Sequence, residues 1–228
     1  MPLSMNSANS PRVRCLALDF GGVVTRDVWE HVYLEGTTSL AERYRFPPDA
    51  LRTIGKELWS RYAFIMPTSG RDWQKLEREY WTEINLRMNA KIPVEDLIVA
   101  GASYIRWVDG MESFLSSFNR DKLILAACTN NTAFWLQRQV SVLGLHRFFK
   151  PELIVASCDV GVSKSSTKHE MFARLIERCG CTPHECLFVD DRHSNITRAE
   201  QFGIRALLVP THSPLAAGSI QHQLDISG

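Results

Sequence analysis

Four widely separated stretches carry groups able to handle phosphate, each placed where a strand should end: Asp19, Thr129, Lys164 and the pair Asp190-Asp191. The apolar run Cys15-Leu16-Ala17-Leu18 leads into Asp19, followed by Phe20 and the glycine pair Gly21-Gly22. A carboxylate can attack phosphorus and form an acyl phosphate, dividing one hard displacement into two steps. Asp19 suits that role, because the glycines beside it, Gly22 above all, let a phosphate approach the backbone. Thr129, with Asn130 and the following amides, would hold the transferring phosphoryl oxygens. Lys164 would neutralise the charge of phosphate and nucleophile. Mg²⁺ prefers oxygen ligands and takes carboxylates, waters and substrate phosphate. Asp19, the Gly21 carbonyl and Asp191 would supply such a shell, with Asp190 as a further ligand or as the partner of Lys164. Two adjacent carboxylates near a third repel without a cation, which strengthens the metal expectation. Alone, Thr129 reads as a plain strand-terminal residue and Asp190-Asp191 as a loop and helix cap.

The elements that must position these groups alternate cleanly in the C-terminal half. Lys122 to Cys128, Leu153 to Ala156, Cys186 to Val189 and Arg205 to Val209 read as strands. Asn131 to Leu143, His169 to Cys179 and Ser194 to Phe202 read as helices, each stopped by a glycine. This rhythm predicts an α/β fold, a Rossmann-like parallel sheet covered on both faces. Ligands of such sheets bind beyond the carboxyl ends of the strands, where Asp19, Thr129 and Asp190 all stand.

Between about Val28 and Trp107 the pattern changes. Pro48 to Phe64, Arg71 to Met88 and Pro93 to Ile105 carry helical spacing with no strand between them. The expected organisation is an N-terminal tail (1–12), an α/β core (13–27 and 108–212), an inserted α-helical cap (28–107) and a C-terminal tail (213–228). The insertion holds all 5 tyrosines and five of the 6 tryptophans. Bulky rings are what a small helical unit needs for a core; the sharper reading is that some line an aromatic or apolar substrate pocket.

Composition excludes several function classes. With 26 basic and 25 acidic residues the net charge is +1, so no large field favours nucleic acid or an anionic membrane. The longest apolar stretches are too short to span a bilayer. The N-terminus is polar and lacks the apolar core of a signal peptide, which makes a cytoplasmic location the default. Cys179, Cys181 and Cys186 cluster near His184, but their spacing matches no zinc pair, so the cysteines read as reduced structural thiols.

With these residues in register, the chain resembles the haloacid dehalogenase (HAD) superfamily from Val13 to Val209. Asp19-Phe20-Gly21-Gly22-Val23 resembles its first motif and Cys128-Thr129-Asn130-Asn131 its second. Gly161-Val162-Ser163-Lys164 resembles the third, and Phe188-Val189-Asp190-Asp191, with Asn195 and Gly203, the fourth. Trp107-Val108-Asp109-Gly110-Met111 resembles the segment that leads from the helical cap back to the core. The resemblance implies a Mg²⁺-dependent hydrolase of a small phosphorylated molecule working through an aspartyl phosphate. Two departures stand out. The third motif continues irregularly as Ser165-Ser166-Thr167-Lys168, making Lys168 a rival to Lys164. Gly21 stands where the family usually carries the aspartate that protonates the leaving oxygen and then activates water. Such acid–base help is worth roughly 10²–10⁴-fold, so the expected substrate has a stable leaving group: an aryl, acyl or sugar-1-phosphate, or a diphosphate. Asp27, His31 or His193 are the nearby groups that would replace the acid. The alternatives are a scaffold that binds a metabolite or partner without turnover, and a metal-free hydrolytic dehalogenase.

Overall fold

The computed structural model describes residues 12–31, 33–34, 36–66, 72–118 and 123–225. The expected N-terminal tail lies outside these residues except for Arg12, as does the side chain of His31. After strand β1 (Cys15–Leu18) come five helices without a strand: α1 (Val28–His31), α2 (Leu40–Tyr44), α3 (Pro48–Tyr62), α4 (Trp73–Arg87) and α5 (Val94–Ser103). Alternation then begins with α6 (Met111–Ser117), β2 (Ile124–Thr129), α7 (Ala133–Leu143), β3 (Ile154–Ala156) and α8 (Ser157–Val160). It continues through α9 (Glu170–Cys179), β4 (Cys186–Asp190), α10 (His193–Gln201) and β5 (Arg205–Leu208) to α11 (Ala216–Asp225).

The five strands form one sheet in the order β3-β2-β1-β4-β5, with every pairing parallel. Strand alternation sorts the central side chains onto two faces. Leu16, Leu18, Leu187 and Val189 point into a core shared with the helical insertion, while Cys15, Ala17, Cys186 and Phe188 point into a second core. That second core is closed by Met171, Phe172 and Leu175 of α9 and by Ile196 and Ala199 of α10. β1 lies between β2 and β4, where connections diverge to either side, so the carboxyl end of β1 opens at the crevice such sheets use for ligands.

The helical insertion leaves and rejoins the sheet layer through a short antiparallel contact. Thr25 bridges to Trp107, the Arg26 amide donates to the Arg106 carbonyl (2.9 Å), and the Val108 amide donates to the Val24 carbonyl (3.0 Å). Helix ends follow local chemistry. Asp72 accepts from the Lys75 amide (2.7 Å) at the start of α4, Thr132 accepts from the Trp135 amide (3.2 Å) at the start of α7, and Gly144 and Gly180 end their helices in the left-handed conformation. The stretch 213–228 was expected as a tail, but within it α11 buries Ala216 and Ile220 and packs against α6. Its polar sequence hid this, because two small apolar contacts on one face are enough to dock ten residues.

Candidate active site

Asp19 stands one residue beyond β1, held in line by its amide donating to the Val189 carbonyl (2.9 Å). Its carboxylate is fixed from two sides: the Phe20 amide donates to Oδ1 (2.7 Å) and Lys164 Nζ lies 2.8 Å from Oδ2. The same ammonium reaches Asp190 Oδ2 at 2.6 Å and sits 5.5 Å above the centre of the Phe188 ring. Lys164 has no exposed side-chain surface. The irregular segment that carries it is oriented by its own amide, which donates to Asn130 Oδ1 (3.0 Å). Lys168, four residues on, is exposed. The structure therefore brings Lys164, and not its rival, to Asp19.

Asp190 is locked in place. Asn195 Nδ2 donates to both of its oxygens at 3.0 Å, and the Arg192 amide donates to Oδ1 (2.8 Å). Asp191 accepts from Thr211 Oγ1 through Oδ2 (2.6 Å), while its buried Oδ1 has no hydrogen-bond partner. Gly22 lets this carboxylate approach the first loop: its φ is +85°, and a Cβ there would lie 2.3 Å from Asp191 Oδ2. Asp19, Asp190 and Asp191 each present an oxygen within 4.8 Å of the others. Such a trio, with one orphaned oxygen and only one ammonium, fits a divalent cation with oxygen preference.

The charges interact strongly. Burial raises the Asp19 carboxyl to about 7, opposed by the neighbouring Lys164 ammonium and reinforced by the negative charge of Asp190. Burial also opposes the charge on Lys164, but Asp19 and Asp190 together hold its ammonium above the ordinary lysine range. Asp191 is raised by burial, partly offset by the hydrogen bond from Thr211. A cation between these carboxylates would relieve all three effects at once.

A cavity of about 320 Å³ opens over the site. Asp19, Gly21, Lys164 and Asn195 form its floor, and Trp29, Trp59, Phe64 and Trp135 its aromatic walls. Thr129 is buried at the end of β2, and its neighbours Asn130 and Asn131 line the cavity in its place. A Cβ on Gly21 would meet nothing within 4 Å, so this position faces open space. Of the three candidate replacement acids, Asp27 lines the cavity, held by the Trp29 amide (3.0 Å) and by Arg192 (3.3 Å). His193 is exposed and does not line the cavity; the side chain of His31 lies outside the described residues.

The aromatic residues divide between a core and the cavity. Tyr33, Tyr80 and Trp81 are 1% exposed and meet edge to face as the core of the insertion. Trp29 and Trp59 reach the cavity, joined there by Trp135 from α7. Sequence reasoning missed Trp135, Gln139 and Arg192 as cavity residues, and Thr211 as the partner of Asp191. Only Arg192 had a signal, its position directly after the Asp190-Asp191 pair.

Comparison with known proteins agrees with this architecture. A HAD family enzyme of Bacteroides thetaiotaomicron, solved with magnesium and inorganic phosphate, superposes with a TM-score of 0.54 at 16% identity, covering 88% of this chain and 96% of its own. A HAD phosphatase of Thermococcus onnurineus gives 0.55 at 17% identity, covering 86% of each chain. The L-2-haloacid dehalogenase of Xanthobacter autotrophicus, with chloropropionic acid covalently bound, gives 0.59 at 16% identity, covering 93% of this chain and 84% of its own. No curated protein sequence matches the chain. At such identities the superpositions report the fold alone. Residues 13–203 match the haloacid dehalogenase-like hydrolase family, and over that span, most of its length, the chain belongs to that family of hydrolases.

Proposed function

We propose that this hydrolase is a Mg²⁺-dependent phosphatase of small phosphorylated molecules that works through an aspartyl phosphate on Asp19. The observation that carries the reading is the buried Lys164 ammonium shared between Asp19 and Asp190 at the floor of the cavity, with Asp191 in reach of both. Lys164 keeps the Asp19 carboxylate available as a nucleophile against the cost of burial, and the Phe20 amide fixes its plane. A bond forms from an Asp19 oxygen to phosphorus as the P–O bond to the leaving group breaks, and the leaving oxygen takes the electron pair. Water then attacks phosphorus and frees Asp19. Asp19, Asp191 and the Gly21 carbonyl, with Asp190 adjacent, would hold Mg²⁺, which supplies positive charge to the transferring phosphoryl group. Asn130, which lines the cavity, and the Gly22 backbone are the proposed phosphoryl contacts, with Thr129, buried at the end of β2, proposed to join them only where its hydroxyl reaches the bound phosphate.

Gly21 offers no proton to the leaving oxygen. An aliphatic alkoxide leaves poorly without one, whereas a phenolate (pKa about 10) or a carboxylate (about 4) needs far less help. The substrate is therefore an aryl, acyl or sugar-1-phosphate, or a diphosphate. The aromatic walls of the cavity favour the aryl case. Asp27 is the cavity carboxylate proposed to assist water in the second step.

The test is hydrolysis of an aryl and an alkyl phosphate with and without Mg²⁺, beside Asp19→Asn. The expected result is Mg²⁺-dependent release, faster for the aryl ester and reduced on the order of 10⁴-fold or more in the variant. Equal rates on both esters would remove the leaving-group argument. Inactivity across a broad phosphate panel, with no phosphoenzyme trapped, would replace the phosphatase with a binding scaffold.

A further inference from the structure

At the opposite end of the sheet from Asp19, four of the six cysteines gather from three elements. Cys15 and Cys186 open β1 and β4 and are register partners on adjacent strands, side by side on the same face. Parallel strands lie about 4.8 Å apart, so the two thiols are neighbours by construction. Cys179, the last residue of α9, reaches down onto them, with its Sγ 3.4 Å from that of Cys15. Gly180 then turns the chain with φ +58°, which carries Cys181 back toward the same cluster. Cys15, Cys179 and Cys186 are at most 5% exposed, while Cys181 is partly exposed at the rim. Cys181 is thus the one thiol of the four that solvent reaches to any extent.

Two uses of such a cluster can be weighed on geometry. The Asp19, Asp190 and Asp191 trio is the only group of three or more metal-ligating side chains within 4.8 Å of one another among the described residues. As placed, the thiols do not form a ready metal site. Pairwise sulfur chemistry needs less convergence. A disulfide requires two sulfurs to close to about 2.05 Å, and the existing 3.4 Å contact shows how tightly thiols pack here. The neighbouring Cys15 and Cys186 thiols favour the ionised form of Cys181, holding its thiol down to about 4 against burial and the nearby Glu185, with Arg14 assisting. Thiolate character together with partial exposure is what selects a cysteine for oxidation. Cys15 itself is fully buried and held as a thiol by its surroundings, so oxidant cannot reach it first.

We propose that Cys181 is a site of reversible oxidation by a hydroperoxide, with buried Cys15 as the resolving thiol. In the first step the Cys181 sulfur attacks the terminal peroxide oxygen; the O–O bond breaks, sulfur is oxidised to a sulfenic acid, and the peroxide is reduced to an alcohol or water. In the second, the Cys15 sulfur displaces the sulfenic hydroxyl, its proton leaves with that hydroxyl as water, and a Cys15–Cys181 disulfide remains. Nothing in this chemistry involves the phosphate site, so the inference stands or falls separately from the proposed phosphatase activity.

The experiment treats the reduced full-length protein with hydrogen peroxide, then measures intact mass and maps disulfides in peptides. The expected result is a loss of two hydrogens, reversed by dithiothreitol, with a Cys15–Cys181 linkage. Cys181→Ser should abolish the mass change, and Cys158→Ser should leave it intact. In Cys15→Ala the sulfenic acid should persist long enough to be trapped by dimedone at Cys181. If Cys15→Ala fails to fold, linkage mapping in the unaltered protein decides alone. Alkylation near pH 6 should modify Cys181 roughly tenfold faster than Cys158. A disulfide that omits Cys181 or joins it to another cysteine, or peroxide-treated protein with all thiols still reduced, would overturn the proposal.

Discussion

At the carboxyl ends of β1 and β4, Asp19, Lys164 and Asp190 are packed into the interior with little exposed surface, and Asp191 is half-buried beside them. The interior of the helical insertion is built from the opposite material. Tyr33, Tyr80, Trp81 and Leu97 fill it, and Glu77 is its one buried charged residue among the described residues. Even that charge faces the other layer: Arg138 of α7 donates to Glu77 from Nε (2.9 Å) and Nη2 (2.7 Å) and lies over the Trp73 ring. The sheet end concentrates uncompensated negative charge that a divalent cation would balance. The insertion contributes apolar surface and one ionic clamp that seats it on α7. A site stabilised by electrostatics tolerates little change, whereas aromatic walls can vary in shape while keeping the fold.

The sharpest way to break this contrast is to remove charge from the sheet end. Lys164→Met leaves Asp19 and Asp190 buried together without their ammonium, which should cost about 3–5 kcal/mol of stability and lower turnover about 10²–10³-fold. Denaturant unfolding and phosphate release read the two effects. The same buried charges give the metal-free protein a pH dependence. Asp19 is raised from 3.8 to about 7 in the folded state, so across that window the native protein retains a proton that the unfolded chain has released. Its contribution to stability therefore falls as pH rises from about 4 to 7. Thermal unfolding in chelator should show this slope, Mg²⁺ should reduce it, and Asp19→Asn should flatten it.

A cut at the clamp tests the other region. Arg138→Ala strands the Glu77 carboxylate in an apolar interior and should cost roughly 3 kcal/mol, while Arg138→Ala with Glu77→Leu should recover most of it. Loss of stability with kcat preserved would mark the clamp as seating the insertion and not as part of the chemistry. Gly21→Asp sharpens the contrast from within the site, because its Cβ has open space and its φ is not left-handed. Restoring a carboxylate there should speed alkyl phosphate hydrolysis by about 10²-fold, at the lower end of general acid–base effects, with little gain on aryl phosphates. The smallest effect belongs to Lys168→Ala, an exposed change expected to stay within about 0.5 kcal/mol of the unaltered protein with unchanged turnover.

The sequence made the sheet legible because its strands are short apolar runs separated by helices with glycine stops, and each of the four later strands begins within two residues of its expected start. Boundaries moved where caps decided them: Thr132 rather than Asn131 leads into α7, since its hydroxyl accepts from the Trp135 amide. The tail at 213–228 was misread because docking of α11 depends on what α6 presents, a contact that no local pattern encodes. Asp190 and Lys164 were named as possible partners, and their 2.6 Å contact followed from strand-end placement plus the Asn130 tether on the lysine segment.

Residue types and strand-end positions were sufficient to nominate Asp19, Asp190 and Asp191, because parallel strands bring their carboxyl ends to one edge whatever the loops do; Lys164, expected at a strand end, instead lies in the loop after α8, eight residues beyond β3. Three things required the tertiary structure. Lys164 and Lys168 were separated by burial, which depends on the whole packing of the third segment. The aromatic residues were divided between core and cavity by helix rotation, and Trp135 joined the cavity from another layer. The gathering of Cys15, Cys179, Cys181 and Cys186 arose from sheet register and the turn at Gly180. Local chemistry is written along the chain, but desolvation and long-range contact exist only once the chain has closed on itself.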